Sequence, residues 1–536
     1  MQSSKISFYL AVVFALCTTM LAYGFSINIP EYVDDSAVLF QAHNIKDIPF
    51  DFLEWVQLRY VGLKSFYISN LFDGDLKVVH LVSIAIHLIN GLLVFFILRL
   101  LRFSQWSSLA ITAIWLIHPL NSQAVVYMSQ RFTLVATLWL LLTLFVLLFL
   151  QTKIQQSKCK NNAQFVFKTL LLLFLACVCF LLSVLSKQSA AFLPLFIGCY
   201  FLFFSNHKKL MTIITVVLFG IFSLLAYLYP EVVHQLDSLT RETVTYTRLD
   251  YFATQLKVIF IYFYKLILPI NLSLESGVEL VKFGSSTFYG YALAHLLLIG
   301  LVFILHKRQK DTKLLLALTF FYFSMIVESS LIPIQDLYFE HRMYLPSAAA
   351  IVVIYYLFYS MFGWLVNSQL KKQCVFGLLF LVLAVMTFSR VQLWQDPYTF
   401  YANEYKQNPN STRAMSSYGK ELAKRGEKKK ALELLLRSYN AEIKQGIMRQ
   451  SNIVGLLTVL IDLKYYQDAL NLGRRAIKLT KSRPKLQAIV YAHLALVYYE
   501  MNECGFATGW SKRSLSLDKS VGLAQQLIML CEKRND

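Results

Sequence analysis

The sequence predicts an all-α protein in which a polytopic membrane domain is followed by a domain of helical repeats. Its 536 residues are 57% hydrophobic and 15% charged, which is too apolar for a water-soluble globular protein. Long apolar runs recur over residues 4–390 and then stop. Beyond them, small residues recur every 38 positions in a polar, helix-like sequence. We therefore expect a membrane domain over residues 1–392, a connector over 393–412 and a repeat domain over 413–536.

The apolar runs predict eleven transmembrane helices. The run near the N-terminus, residues 6–23, is interpreted as an uncleaved first helix, since many further spans follow it. Each run is long enough, or nearly so, to cross about 30 Å of hydrocarbon. The other ten predicted spans are residues 77–101, 105–119, 132–151, 166–186, 189–205, 209–229, 286–305, 313–333, 345–366 and 373–390.

Clusters of Lys and Arg between the runs predict which loops face the cytoplasm. The clusters lie near Arg99, Lys153, Lys208, Lys307 and Lys371. Residues 253–270 carry lysines inside their apolar run, so we expect an interfacial or re-entrant helix whose lysines reach out to water. This assignment gives a cytoplasmic N-terminus and an extracytoplasmic repeat domain. The formal net charge of +20 accompanies no nucleic-acid-binding motif.

Two adjacent carboxylates, Asp34 and Asp35, open the first loop on the predicted outer side. Mutual repulsion and burial raise the pKa of one member of such a pair, which then serves as a general base near neutral pH. Taken alone, the pair is weak evidence for such a base, and the capped start of a helix is the alternative interpretation. A divalent ion such as Mg²⁺ or Mn²⁺, which an Asp pair can hold, remains open as a cofactor, although the pattern requires none.

Cationic residues are expected at the same side. Arg131 begins one predicted span and Lys187 follows another. The stretch from residue 328 to 347 adds His341 and Arg342, together with acids, between two apolar segments. Charge near a bilayer is costly unless it is paired or used, so this stretch predicts either a working site or a polar loop that anchors two helices. Used as a site, these cations suit a phosphate leaving group.

The repeat domain predicts a stack of helical hairpins. Ala431, Ala469 and Ala507 are spaced 38 residues apart, and amphipathic segments flank each of them. Small residues at fixed positions let the two helices of a hairpin approach closely. The pattern resembles degenerate tetratricopeptide repeats, whose solenoids offer a concave face for a partner or acceptor. A plain structural cap is the alternative.

Taken together, the chain resembles the C-type (GT-C) polytopic glycosyltransferases, above all the transmembrane and tetratricopeptide repeat-containing O-mannosyltransferases and their bacterial relatives. The matching residues are Tyr32-Val33-Asp34-Asp35, Arg59, His80, His87, Asn90, His118-Pro119, Arg131, Leu185-Ser186-Lys187, Glu328, Pro333, Glu340-His341-Arg342, Trp394, Asp396 and Pro397. Two positions depart from the family, which commonly has Glu where this chain has Gln123 and Gln188.

The resemblance implies transfer of a monosaccharide from a polyprenyl-phosphate donor to a Ser or Thr hydroxyl of an exported protein, such as a pilin, at the outer side of the inner membrane. It implies Asp34 or Asp35 as the base. Donor-phosphate binding falls to Arg131, Lys187, His341 and Arg342, and supporting roles to Arg59, His80, His118, Glu328 and Glu340.

Two alternatives remain open. One is a transferase that modifies a glycan or lipid A, against which the repeats argue, because such solenoids usually hold peptides. The other is a non-catalytic membrane scaffold that recruits partners through its repeats. Neutralising Asp35 leaves a scaffold functional but inactivates a transferase.

Overall fold

The structure is a computed structural model, and all its described regular structure is helical. It describes residues 2–44, 51–70, 75–156, 163–204, 245–274, 277–362, 368–445, 449–481 and 483–535. Within these ranges no strand occurs, which confirms the all-α prediction. The chain forms two compact units, one of Met1–Leu274 with Val278–Asp396 and the other of Glu275–Gly277 with Pro397–Asp536.

The first unit is a bundle of long apolar helices joined by shorter ones. In chain order its described helices are α1 (Gln2–Gly24), α2 (Asp35–Asn44), α3 (Phe52–Gln57), α4 (Tyr60–Asn70), α5 (Leu76–Leu100), α6 (Gln105–Ile117), α7 (Ser122–Val126), α8 (Arg131–Gln156), α9 (Ala163–Ser186), α10 (Leu193–Phe204), α11 (Arg248–Ile267), α12 (Ser286–Gln309), α13 (Thr312–Met325), α14 (Tyr344–Phe362) and α15 (Gln369–Leu393). Short 3-10 helices lie at Phe25–Asn28, Pro119–Asn121, Met128–Gln130, Gln188–Phe192 and Glu340–Met343.

Side-chain caps fix where several of these helices begin. The carboxylate of Asp75 accepts from Lys77 N–H at 2.9 Å at the start of α5. The hydroxyls of Ser104 and Ser285 do the same for α6 and α12. Each cap satisfies one backbone donor that a helix leaves without an intrahelical partner. The apolar side chains that follow each cap then pack the helix into the bundle.

Seven helical stretches in the described part of the chain are long and apolar enough to cross a membrane, which makes this a multi-pass membrane protein. They are Ile6–Asn28, Leu76–Leu100, Met128–Gln156, Ala163–Ser186, Ser286–Gln309, Glu340–Met361 and Lys371–Leu393. An eighth arises if Gln105–Ile117 and Pro119–Val126, bent by 51°, form one broken span.

Three of the eleven predicted spans are not found among these. The predicted span 313–333 is helical only over the 14 residues of α13, which extend about 21 Å. The predicted span 189–205 is divided into a 3-10 helix and the 12-residue α10. The predicted span 209–229 lies outside the described residues.

Helix α11 covers most of the segment that the sequence predicts to be interfacial or re-entrant, and the expectation for one of its lysines is wrong. Lys265 does not reach out to water. It is buried, its ammonium lies 3.3 Å from a carboxylate oxygen of Glu340, and it donates to the carbonyl of Asn271 at 3.0 Å. A carboxylate 75 residues away in sequence makes burial of this lysine tolerable, because a paired charge loses less on leaving water.

A buried polar network joins α5, α6 and α14. His87 bonds the Tyr344 hydroxyl at 2.7 Å and the Leu116 carbonyl at 2.9 Å. Asn90 also donates to the Tyr344 hydroxyl, and the Trp115 indole N–H donates to the Tyr344 carbonyl. Between apolar helices such bonds supply the specific contacts that hydrophobicity alone does not.

The second unit is built of helical hairpins. Its helices are α16 (Pro397–Gln407), α17 (Thr412–Lys424), α18 (Lys428–Lys444), α19 (Gln450–Asp462), α20 (Tyr466–Leu479), α21 (Pro484–Glu500), α22 (Cys504–Leu517) and α23 (Gly522–Asn535). The α17–α18, α19–α20 and α21–α22 pairs are joined by the same turn. In each, one residue takes a positive φ, namely Gly426 (84°), Lys464 (62°) and Asn502 (64°). This left-handed residue ends the first helix and reverses the chain.

The 38-residue period of the sequence matches this architecture. The second helices α18, α20 and α22 begin at Lys428, Tyr466 and Cys504, which are 38 residues apart. Ala431, Ala469 and Ala507 are fully buried in their first turns. A small side chain is therefore required at the same place in each hairpin.

Candidate active site

The structure separates the two adjacent carboxylates into different environments. Val33 has a positive φ of 30°, and the tight turn there places Asp34 on the surface and Asp35 inside. Asp35, which is 1% exposed, begins α2. One of its oxygens accepts from Tyr32 N–H at 2.9 Å, and the other accepts from both the N–H (2.7 Å) and the hydroxyl of Ser129. Asp35 thus holds the turn together.

Burial changes the acidity of Asp35. Loss of hydration raises the pKa of this carboxyl to about 7, against the opposing effect of the hydrogen bonds from Ser129 and Tyr32. The neighbouring charge of Asp34 adds a smaller increase. Asp35 therefore changes charge near neutral pH while both of its oxygens remain engaged within the protein.

Asp34 is the member of the pair that a reactant can reach. The Tyr127 hydroxyl donates to an Asp34 carboxylate oxygen at 3.2 Å and lies 3.3 Å from Asp34 N–H. Tyr127 in turn stacks on Trp394, with ring centroids 5.9 Å apart. The Tyr32 hydroxyl donates to the Trp394 carbonyl at 2.6 Å. The exposed carboxylate is therefore oriented by an aromatic support.

A second cluster of charges surrounds a small buried cavity. The Lys187 ammonium lies 2.9 Å from the Glu328 carboxylate and donates to the Thr133 hydroxyl at 3.2 Å. These three residues line a cavity of about 30 Å³ together with His341 and Arg342. One water needs about 10–15 Å³ measured in this way, so the cavity has room for a small polar group.

Two nitrogen atoms of this cavity's lining lack hydrogen-bond partners among the described residues. They are Nη1 of Arg342 and Nδ1 of His341, and both are buried. The other terminal nitrogen of Arg342 donates to the Asp336 carbonyl at 2.8 Å. A buried guanidinium nitrogen without an acceptor costs free energy, so an oxygen-rich anion in this cavity would relieve that cost.

The charge of the cluster is net positive. Burial by itself raises the pKa of Glu328, but the charges of Lys187, Arg342 and Arg59 outweigh it and hold that pKa below its ordinary value. The pKa of Lys187 is lowered, first by burial and further by Arg59 and Arg342, although Glu328 opposes the shift. Three cations, Lys187, Arg342 and Arg59, therefore act on Glu328, while a second carboxylate, Asp336, acts on Arg342; the remaining positive charge favours an anionic ligand.

Both clusters are fastened to the same end of α8. Ser129, which holds Asp35, lies just before α8, and Thr133, which contacts Lys187, lies in its first turn. Four residues correspond to about 6 Å along a helix axis. The carboxylate turn and the cationic cavity are therefore neighbours. Sequence inspection overlooked Ser129 and Thr133, since single hydroxyl residues in an apolar segment carry no distinguishing pattern.

The structure does not bring Arg131 to this cavity. Its guanidinium is fully buried and donates to the carbonyls of Ser65 (3.2 Å) and Val79 and to the hydroxyl of Ser83 (3.2 Å). It also lies 4.3 Å from the centroid of the Phe66 ring. Arg131 thus joins α4, α5 and α8. The cationic cavity rests on Lys187 and Arg342 without it.

The two histidines expected in supporting roles hold backbone segments. The ring of His80 bonds the Ile29 carbonyl at 3.1 Å. The ring of His118 bonds the Leu266 carbonyl at 2.9 Å and accepts from Leu120 N–H at 3.2 Å. His118 therefore stabilises the bend after α6 and ties it to the end of α11.

Glu340 lies in a separate buried ion cluster. Its carboxylate accepts from Lys265 and from Ser273 N–H, at 3.3 and 2.7 Å, and lies 3.8 Å from Arg390. It is fully buried, so it contacts no bulk solvent. Glu340 thus connects α11, the segment that follows it and α15 through charge and hydrogen-bond contacts.

Gln123, one of the two amides that depart from the family, connects this region to His341. Its Nε2 donates to the Leu274 carbonyl at 3.2 Å, and its Oε1 accepts from His341 N–H at 2.7 Å. An ionised glutamate accepts the second bond but cannot donate the first. The amide therefore suits this position structurally.

The carboxylate pair is a poor metal site. Both oxygens of Asp35 accept hydrogen bonds from the protein, which leaves Asp34 as the accessible carboxylate. Within the described residues no group of three or more His, Cys, Asp or Glu side chains is placed to hold an ion.

A large apolar cavity approaches the cationic one. Its volume is about 910 Å³. The side chain of Leu345 lines both cavities. The described residues that line the large cavity come mainly from α5, α8, α10, α13 and α14 and include Val94, Leu141, Leu144, Leu148, Ile154, Phe196, Phe320, Leu345 and Val352. A hydrocarbon chain fits such a lining, since it offers few polar partners.

No family model matches the chain, and no curated protein matches it in sequence. A function must therefore be argued from the site itself and from the motif resemblance.

Proposed function

We propose that this protein is a GT-C membrane glycosyltransferase that moves a monosaccharide from a polyprenyl-phosphate donor to a Ser or Thr hydroxyl of an exported protein. One observation carries the proposal: a cationic cavity with a guanidinium nitrogen that has no hydrogen-bond partner among the described residues adjoins a large apolar cavity at Leu345. A ligand that fills both has an anionic head and a long hydrocarbon tail. A polyprenyl phosphate has this composition.

In the proposed reaction, Asp34 accepts the proton of the acceptor hydroxyl. The hydroxyl oxygen attacks the anomeric carbon of the sugar, and a new glycosidic bond forms. The bond from that carbon to the phosphate oxygen breaks, and polyprenyl phosphate departs with the electron pair. Lys187 and Arg342, with His341 beside them, stabilise the charge that develops on the phosphate. Asp35 keeps the turn that presents Asp34.

The topology is part of the proposal. Eleven crossings result if the shorter apolar helices Gln188–Tyr200 and Thr312–Met325 and the residues 209–229 each add one to the eight candidates. The N-terminus is then cytoplasmic, and the hairpins of residues 413–536 are extracytoplasmic, which in a bacterium is the periplasm. We propose that these hairpins form a tetratricopeptide-like solenoid that holds the acceptor protein.

The test is the intact mass of exported proteins from the native host, compared between the wild type and an Asp34→Asn variant. A matched control is Glu54→Gln, which neutralises another exposed acid of the same loop. We expect one exported protein to lose the mass of a single sugar in Asp34→Asn and to keep it in Glu54→Gln. Each variant is first quantified in the membrane fraction.

Unchanged protein masses at normal variant levels would overturn protein glycosylation. If a surface glycan or lipid A then loses the sugar, the transferase acts on that acceptor instead. If nothing loses a sugar while disruption of the hairpins abolishes a phenotype of the host, the scaffold alternative replaces the transferase.

A further inference from the structure

We infer that Gln188 is a positioning residue that holds the Arg59 guanidinium beside the cationic cavity. The inference rests on the proposed function, because it gives Arg59 a place in the same phosphate site. It concerns the turn between α3 and α4, which meets the end of α9 at this point.

The turn that carries Arg59 needs an external support. Arg59 has a positive φ of 54°, a left-handed conformation that residues with a side chain seldom adopt. Its N–H reaches the Val56 carbonyl at 3.3 Å, which is long for a backbone hydrogen bond. The same carbonyl accepts a short 2.6 Å bond from Nε2 of Gln188. Gln188 thus holds the turn from outside.

The oxygen of the same Gln188 amide binds the side chain of Arg59. Oε1 of Gln188 accepts a hydrogen bond from Nε of Arg59 that is also long, at 3.4 Å, but is assisted by the positive charge of the guanidinium. The guanidinium also lies 5.5 Å from the centroid of the Phe132 ring, on the first turn of α8. A glutamate at position 188 keeps the acceptor but loses the donor to Val56, and a methionine of similar length loses both.

The position of this turn is otherwise fixed by close packing. A Cβ added at Gly62 would overlap the Phe132 ring and lie 3.2 Å from the Ser186 carbonyl oxygen. Helix α4 therefore lies against the ends of α8 and α9, directly beside Lys187. The electrostatic influence of Arg59 on both Lys187 and Glu328 agrees with this location. Gln188 follows Lys187 in sequence, so it connects the turn to the cavity.

The experiment measures binding of farnesyl phosphate to the full-length protein in detergent, with farnesol as the uncharged reference. The variants are Gln188→Met, Arg59→Met and the double variant. A hydrogen bond to a charged group is worth about 1.5–3 kcal/mol, so we expect Arg59→Met to weaken farnesyl phosphate binding by roughly 10- to 100-fold. Gln188→Met weakens it by up to the same factor.

A double-mutant cycle of Gln188→Met and Arg59→Met tests whether Gln188 acts through Arg59. If Gln188 acts through Arg59, the double variant binds farnesyl phosphate within about twofold of Arg59→Met alone. Farnesol binding stays at the wild-type level in all variants. The matched control is Gln57→Met, which removes an exposed amide from the same segment and leaves the dissociation constant unchanged. If Gln188→Met does not fold, Gln188→Ala, which also removes both hydrogen bonds of the amide, replaces it in the same cycle, with the same non-additivity expected.

The outcomes separate the inference from the proposed function. Wild-type protein that binds farnesyl phosphate no better than farnesol would refute the phosphate site and, with it, both proposals. Wild-type preference for farnesyl phosphate supports the site. Against that background, a Gln188 variant with wild-type affinity, or a double variant whose loss equals the product of the two single losses, would overturn the positioning role alone.

Discussion

The two adjacent aspartates are expected to respond to the same substitution in different ways. Asp34→Asn removes an exposed carboxylate whose contact is the Tyr127 hydroxyl, so the fold is unaffected. In the proposed transfer Asp34 is the general base, a role worth about 10²–10⁴-fold in rate, so we expect transfer to fall by that factor. Asp35→Asn instead removes a buried carboxylate with partners on both oxygens. We therefore expect Asp35→Asn to lower the free energy of unfolding.

The size of the Asp35 effect follows from its contacts. An asparagine can keep its oxygen on Ser129, but its NH₂ group then faces the Tyr32 N–H, and two donors oppose each other. One buried hydrogen bond is lost and a donor is left unpaired, which lowers the free energy of unfolding by about 1–3 kcal/mol.

The Asp35 effect also depends on pH. The pKa of Asp35 rises from an ordinary value of 3.8 to about 7 in the folded protein. A raised folded-state pKa contributes stability that is fully present below the unfolded pKa and is lost as pH rises through about 7. The total change corresponds to about 4 kcal/mol. Because asparagine does not titrate, the stability advantage of the wild type over Asp35→Asn shrinks between pH 5.5 and pH 8.5.

Two measurements on purified protein check this. Denaturant unfolding in detergent at pH 5.5 and pH 8.5 gives the stability of the wild type and both variants. Transfer of sugar to an acceptor, assayed where all three are folded, gives activity. Asp35→Asn with wild-type stability at both pH values but no transfer, combined with an active Asp34→Asn, would reverse the two roles and refute the reasoning.

Three further substitutions test the fold. Lys265→Met leaves the buried Glu340 carboxylate without its closest cation, and we expect a loss of about 3–5 kcal/mol in the free energy of unfolding; a loss below 1 kcal/mol would contradict the pairing. Gly473→Ala puts a Cβ 2.8 Å from Cγ of the buried Leu494, and we expect about 1–3 kcal/mol of destabilisation by thermal unfolding. Gly509→Ala, in an exposed helical position with nothing within 4 Å, should stabilise by about 0.4–1 kcal/mol in the same assay. Equal effects at the two glycines would argue against the hairpin packing.

The sequence alone predicts features that depend on residues close together along the chain. Hydropathy over 20 or so residues identifies helices that cross a bilayer, since the hydrocarbon thickness sets their length. The 38-residue period anticipated the hairpins, because the same small residue is needed wherever two helices touch, as at Ala431 and Ala469.

Only the tertiary structure shows which of several chemically similar residues are exposed, which are buried and which form ion pairs. Asp34 and Asp35 are adjacent and alike in sequence, but in the structure Asp35 is buried and accepts from Ser129, 94 residues away, whereas Asp34 is exposed. The sequence suggests that Lys265 reaches out to water, but in the structure it is paired with Glu340. The sequence suggests Arg131 as a phosphate ligand, but in the structure its guanidinium donates to backbone carbonyls of α4 and α5. Burial and charge pairing are set by residues far apart in the chain, and no local pattern contains them.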